Sequence, residues 1–257
     1  MVFINKMSIL HFAHEPDLSG EICIVNVKTG ETELSYINDY GDKNPTETFW
    51  NTNIIFKPWN PQDNAQHPDW LFYGGKIPSD ICDKVLVETS KIPTQDATTF
   101  RTGPGGVIEK QSRLTQIRWL TTEYVKNNDT LLDLVRFVFE CAKTVNMAFD
   151  VDYNSLPSLQ ITEYLKPGYH YNWHHDIDWA RDDGRQRKLS FVIQMTDPVE
   201  YDAGNLEFRY IPNPNKEALR RKGTIIFFLP YHEHRVTPIV SGKRTSIVGW
   251  FEGPRWK

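Results

Sequence analysis

From residue 159 to the C-terminus the chain reads as one short strand after another, and no other feature limits its fold as much. Apolar and β-branched residues cluster over 159–165, 169–176, 188–196, 206–211, 224–229, 234–240 and 243–251, with Gly or Pro at most of the turns between them. Helical spacing is confined to the part before. Residues 79–90 put Ile81, Cys82, Val85 and Leu86 on one side, behind Ser79 as the expected cap. Residues 130–147 repeat Leu131, Leu134, Val135, Val138, Ala142 and Val145, behind Asp129 as the expected cap. The stripe on this longer helix must lie on something, and a sheet is its natural partner. With further strands expected over 70–74 and 114–120, the class is α+β, helices supporting a β-sandwich or barrel.

The first 68 residues read differently. Short alternating pieces over 22–27 and 31–37 flank Lys28-Thr29-Gly30, the pattern of a β-hairpin. Residues 57–67, rich in Pro, Asn and Asp, read as a linker. Two units are therefore expected, a β-rich N-terminal extension over 1–68 and a main domain over 69–257. Residues 93–114 include Gly103-Pro104-Gly105-Gly106 and show no period; this loop, above all 99–114, is a candidate lid.

Composition excludes several functions. A net charge of −4 lacks the basic excess of a general nucleic-acid or membrane binder. The longest strongly apolar runs, such as 225–229, are far too short to span a bilayer. The start MVFINKMSIL has neither a long apolar core nor a cleavage site, so a cytoplasmic protein is expected. Cys23, Cys82 and Cys141 are odd in number and far apart, which suits free thiols in a reducing compartment. The basic clusters at 181–188 and 220–222 could steer an acidic partner, but Arg181 and Arg185 alternate with Asp182 and Asp183, so a solvated loop is the better default.

The chemistry concentrates in QITEYLKPGYHYNWHHDID, residues 160–178. His174 and Asp176 stand two apart in an expected strand, and side chains at i and i+2 leave a strand on one face. A downstream His completes a set of two imidazoles and one carboxylate, which leaves metal positions open and suits Fe(II) oxygenases. Structural zinc would close its four positions, usually with Cys, and no Cys is near. His234 is the candidate third ligand. His232 shares its face and competes with it, His175 faces the other side from His174, and His170 precedes the pair. Ten residues after His234 comes Arg244, which shares a strand face with Ser246, Val248 and Trp250. An Arg turned into a barrel needs an anion to offset its burial, and its fork matches a carboxylate.

Residues of roughly 70–257 resemble the prolyl 4-hydroxylase-like 2-oxoglutarate and Fe(II)-dependent dioxygenases, the PKHD-type branch above all. The resemblance is carried by Gln160-Ile-Thr-Glu-Tyr164, Gly168, Tyr171-Asn-Trp-His174-His-Asp176, Lys188-Leu-Ser-Phe-Val-Ile-Gln194, Tyr201-Asp-Ala-Gly204-Asn-Leu206, Gly223-Thr-Ile-Ile-Phe-Phe228, His234-Arg-Val-Thr-Pro238, Gly242-Lys-Arg244 and Gly249-Trp250-Phe251, in order and at the family's spacing. It implies a double-stranded β-helix of the jelly-roll or cupin-like kind, with His174, Asp176 and His234 as iron ligands. It implies that Arg244 holds the distal carboxylate of 2-oxoglutarate and that Tyr164 contacts the same cosubstrate. Gln194, Tyr171 and Trp250 are candidates for the same pocket. Fe(II), 2-oxoglutarate and O2 are the implied cofactors, with ascorbate as a stimulant. Asp176 favours hydroxylation, because a halogenase leaves that position to Ala or Gly. Ala203 departs from the family, which often has Gly there.

By analogy the substrate is a prolyl residue of a protein or peptide, with a free amino acid or other small molecule as the alternative. Nucleic-acid demethylases carry Arg-x-Asn-x-Thr-x-Arg on the strand that here begins Arg244-Thr-Ser246, so that branch does not fit. A β-barrel binding module without catalysis is the alternative of another class, and the intact triad with Arg244 speaks against it.

Overall fold

The computed structural model describes residues 68–97 and 112–256, together with the backbone of four strands upstream, β1 (Ser8–His11), β2 (Glu21–Asn26), β3 (Thr32–Tyr36) and β4 (Ile54–Phe56). The expected linker at 57–67 and the Gly103-Pro104-Gly105-Gly106 stretch of the lid lie outside the described residues. β2 and β3 pair antiparallel, as a hairpin over 22–37 requires, and β1 adds to β2. β4 pairs with β5 (Trp70–Tyr73) and so extends the main sheet.

After β5 come helix α1 (Ser79–Ser90), β6 (Gln95–Asp96), β7 (Arg113–Leu114), β8 (Gln116–Leu120), and helices α2 (Thr122–Lys126) and α3 (Asp129–Phe149). The rest is β9 (Leu159–Tyr164), β10 (His170–His174), β11 (Arg185–Gln194), β12 (Tyr201–Ala203), β13 (Leu206–Phe208), helix α4 (Lys216–Arg220), β14 (Ile225–Phe228), β15 (His234–Val236), β16 (Ile239–Gly242) and β17 (Arg244–Pro254).

Two sheets face each other. One runs β4-β5-β14-β11-β17-β9-β8-β6 and the other β13-β15-β10-β7. β9, β11, β14 and β17 lie in the first sheet, while β10, β13 and β15 lie in the second. Leaving aside the β12–β16 pair, the chain thus crosses from one sheet to the other at every step from β9 to β17. That alternation is the double-stranded β-helix. The fold is α+β, with helices against the outer face of the larger sheet.

Side-chain parity builds the two faces of that sheet. Leu159 and Ile161, Leu189, Phe191 and Ile193, Ile225 and Phe227, and Ile247 and Phe251 join Leu134, Val138, Ala142, Val145 and Phe149 of α3 in one buried cluster. Gly249 lies on this face because a Cβ there would meet the Phe191 ring at 2.5 Å and Leu159 at 2.7 Å. Residues of opposite parity face the space between the sheets.

Element ends differ from expectation for local reasons. Asn128, not Asp129, caps α3, its side chain accepting from the Leu131 N–H at 3.1 Å. Asp129 becomes the first helical residue, where an acid complements the helix dipole. Pro78 occupies the cap position of α1, its carbonyl accepting from Ile81 and Cys82, and Ser79 makes no capping bond. The strand expected over 234–240 is two, β15 and β16, interrupted by Pro238, which has no N–H for a ladder. The strand expected over 206–211 stops at Phe208, whose N–H and carbonyl are both taken by the Asn213 amide, at 2.7 and 3.1 Å. Among the described residues no helix is long and apolar enough to cross a membrane.

Candidate metal centre

Strand pairing brings the two imidazoles together. β10 and β15 run antiparallel with His174 directly opposite His234, and their ring centroids lie 4.2 Å apart. Asp176 joins them from beyond the strand. β10 ends at His174, so the expectation that Asp176 shares a strand face with His174 is corrected. The Asp176 and Ile177 N–H groups instead donate to the Pro230 carbonyl, at 2.8 and 3.2 Å. Arg187 donates to the Asp176 carbonyl at 3.0 Å. The Asp176 carboxylate then lies 3.8 Å from His174 Nε2 and 3.7 Å from His234 Nε2. One ligand atom from each of the three falls within 4.8 Å of the others.

The donor set suits a metal. His174 Nδ1 lies 2.7 Å from the Asn172 carbonyl, and His234 Nδ1 lies 2.9 Å from the His232 carbonyl. A carbonyl only accepts, so each Nδ1 carries the proton and each Nε2 is left bare toward Asp176. His232 contributes this carbonyl and is not part of the cluster. His175 bonds the Tyr231 carbonyl from the cavity rim, and His170 bonds the Gly168 carbonyl. Burial, reinforced by His234, holds His174 well below the ordinary imidazole value. Burial alone would raise Asp176, but His234, His174 and Arg187 outweigh it and hold the carboxyl below its ordinary value. Both directions favour the ligating forms, a neutral imidazole and a carboxylate.

The three residues line a cavity of about 790 Å³ together with Arg244, Tyr164, Tyr171 and Trp250. The polar face of the large sheet forms its floor, with Arg244 opposite Tyr164, Ser246 opposite Thr162 and Val248 opposite Gln160. Arg244 is 1 % exposed. Its guanidinium donates to Gln194 Oε1 at 2.8 Å and lies 5.0 Å from the centroid of the Tyr164 ring. No carboxylate among the described residues pairs with it. Gln194 stands behind Arg244 and is not part of the cavity wall. Gly204 permits this placement, because a Cβ there would press on Arg244 Cδ at 3.2 Å and on Ile239 at 2.2 Å. Burial keeps the Tyr164 hydroxyl above its ordinary pKa, against Arg244 and Arg113, so it is a donor at neutral pH. Tyr171 stacks on His174, centroids 3.4 Å apart and planes at 13°.

Sequence reasoning missed Arg113, Arg187, Gln160 and Trp119 in the lining. Gln160 was readable, since it alternates with Ile161 and shares parity with Thr162 and Tyr164. Arg187 was not. A register shift between Arg187 and Leu189 breaks the alternation of β11, and the bulge turns Arg187 inward over the Trp250 ring at 3.8 Å. The basic segment 181–188 is thus partly strand, and the reading of it as a solvated loop is corrected.

Comparison with known proteins agrees with this geometry. Residues 159–252 match the 2OG-Fe(II) oxygenase superfamily. A PKHD-type hydroxylase of Synechococcus sp. (strain CC9605) is 35% identical over 85 residues, 33% of this chain and 37% of the relative. The chain thus spans little more than a third of that relative's length. A PKHD-type hydroxylase of Maricaulis maris (strain MCS10) is 27% identical over 177 residues, 65% of this chain and 77% of the relative. Among solved structures, a prolyl-4-hydroxylase of Pseudomonas putida superposes with a TM-score of 0.57 at 20% identity, covering 76% of this chain and 96% of that one.

Proposed function

We propose that the protein, whose residues 159–252 match the 2OG-Fe(II) oxygenase superfamily, hydroxylates a C–H bond, that of a prolyl residue in a protein or peptide. The observation that carries the reading is one cavity holding both the His174, Asp176 and His234 cluster and the buried Arg244, which pairs with no carboxylate among the described residues. The PKHD-type and prolyl-4-hydroxylase names of the relatives favour proline as the target.

The donor chemistry fits Fe(II): two bare imidazole nitrogens and one carboxylate would hold the ion and leave it room for further ligands. Iron, 2-oxoglutarate and O2 supply the oxidising power that inserts one oxygen atom into the substrate, with succinate and CO2 as co-products. The chain's own residues position and exclude. Arg244 takes the distal carboxylate of 2-oxoglutarate, with Gln194 fixing the guanidinium and the Tyr164 hydroxyl donating beside it. The carbonyls of Asn172 and His232 fix the imidazole tautomers. Phe228, packed edge-on against His234 with centroids 4.7 Å apart, and Phe208 keep water from the back of that ligand. Tyr171 fixes the plane of His174, and Trp250 walls the substrate side. Asp176, a carboxylate where a halogenase leaves room for halide, favours hydroxylation. The free, buried thiols Cys82 and Cys141 suit a reducing cytoplasm.

The test is turnover by protein loaded with Fe(II), 2-oxoglutarate and ascorbate, offered proline-containing peptides and free amino acids. Succinate should form with a peptide that gains one oxygen atom by mass spectrometry. His174→Ala and His234→Ala should each lose iron and turnover, while His232→Ala keeps both. Full turnover in either ligand variant would sink the reading, and iron loss in His232→Ala would reassign the third ligand.

A further inference from the structure

Arg113 is the second buried guanidinium of the cavity. It is 7 % exposed and lines the cavity from β7. Its Nε donates to Thr115 Oγ1 at 3.1 Å and its Nη2 to Gln160 Oε1 at 2.6 Å. Both partners are neutral, and no carboxylate among the described residues pairs with it. Its Cζ lies 4.4 Å from the Tyr171 ring centroid, while His174 stacks on the same ring at 3.4 Å. Two groups this close cannot share one face of a ring. Arg113, Tyr171 and His174 therefore form a column that ends on the metal cluster.

Among the described residues two neutral acceptors leave the charge of this buried cation uncompensated, which costs stability unless an anion arrives. The proposed cosubstrate does not supply that anion. Its distal carboxylate is assigned to Arg244, and its other carboxylate would belong to the metal cluster, as part of the cosubstrate's reacting end. Arg187 is held by the Asp176 carbonyl and the Trp250 ring. That leaves Arg113, a lining residue of the cavity whose Nη1 makes no hydrogen bond to a described residue. One guanidinium with no carboxylate partner among the described residues matches the single charge of a carboxylate better than the double charge of a phosphate. The surrounding rings of Tyr171, Trp119 and Trp250 suit an amino-acid-sized group beside it.

We propose that Arg113 is the substrate-selecting anion site of this cavity and receives a carboxylate of the molecule to be hydroxylated. The proposal rests on the oxygenase reading above. The carboxylate belongs either to an acidic side chain near the target residue of a peptide or to a free amino acid.

The experiment measures hydroxylation at saturating 2-oxoglutarate. The probes are proline peptides with one Glu scanned along the sequence, their Gln twins, free L-proline and its amide. The acidic member of a pair should exceed its neutral twin by about 10-fold or more in kcat/KM, the scale of one charge-assisted hydrogen bond. Arg113→Gln should erase that preference, Arg113→Lys should keep part of it, and neither should change the KM for 2-oxoglutarate. A preference within the peptide pairs identifies a side-chain carboxylate, and one within the proline pair identifies the free acid. Equal rates for twins would overturn the proposal, as would a preference that survives Arg113→Gln. So would a raised 2-oxoglutarate KM with the preference intact. If no probe turns over, the prolyl reading fails, yet the anion site is still read by tryptophan fluorescence. N-acetylglutamate should then bind protein loaded with Mn(II) and 2-oxoglutarate, and about 10-fold more weakly in Arg113→Gln. Equal or absent binding in both would reject the site.

Discussion

The two faces of the large sheet are made from the same strands and differ in what their residues do. On β14, Phe227 faces the helices and Phe228 faces His234, and both are fully buried. On β17, Ile247, Gly249 and Phe251 face the helices, while Arg244, Ser246, Val248 and Trp250 line the cavity. The helix face is apolar and close-packed, and its bulk holds the sheet in place. The cavity face carries buried Arg244, Thr162, Gln160 and Ser246, with Gln194 behind Arg244; their mutual hydrogen bonds offset part of the cost of burial, and the charge of Arg244 still calls for an anionic ligand. Successive residues therefore divide between folding and function.

The largest effect that tests this division comes from the helix face. Phe227 packs against Tyr73 edge-on at 6.4 Å and against Phe191 at 5.8 Å. Phe227→Ala should cost about 3–5 kcal/mol of unfolding free energy by denaturant titration, the usual range for a buried ring. The fraction still folded should bind Fe(II) and 2-oxoglutarate as the parent does. Weakened iron binding in that folded fraction would show that the two faces are mechanically coupled.

How much of this could be read in advance follows from the same alternation. Where a strand keeps its period, as β17 does from Arg244 to Trp250, inward residues followed from parity alone. Where the period breaks, parity misled: the β11 bulge brought in Arg187, and β10 ended before Asp176. The pairing of His174 with His234 joins residues 60 positions apart and follows from no local pattern. The choice of His234 over His232 rested on family spacing. The structure supplies the physical reason, because the His232 carbonyl is what orients the His234 ring. Arg113 stayed hidden because it stands at the end of a stretch with no period at all.

A smaller effect belongs to the cavity face. Arg244→Ala should raise the 2-oxoglutarate requirement about 10- to 100-fold, since a charge-assisted carboxylate contact contributes roughly 1.5–3 kcal/mol. Its melting temperature should fall far less than that of Phe227→Ala, or rise, because the substitution removes a buried charge with no carboxylate partner among the described residues. Iron content should be unchanged. A stability loss equal to that of Phe227→Ala would mean that Arg244 is a structural residue, and the division between faces would fail at its most important position.

The smallest effect lies in the backbone behind Arg244. Ala203 has φ of 60° and is followed by Gly204, also at 60°. An L-residue with a Cβ pays roughly 1–2 kcal/mol in this left-handed region, where Gly pays little. Some of that gain is lost to the greater freedom of Gly in the unfolded chain, about 0.5–1 kcal/mol. Ala203→Gly should therefore raise stability by a few tenths of a kcal/mol up to about 1 kcal/mol. Gly204 leaves the space that Arg244 Cδ and Ile239 occupy, so the two residues together set how closely this turn backs the guanidinium. If the turn merely tolerates strain, the 2-oxoglutarate KM of Ala203→Gly will match the parent. If the KM moves while the melting temperature rises, the strained alanine helps aim Arg244, and the cavity face then draws on backbone strain as well as on side-chain parity.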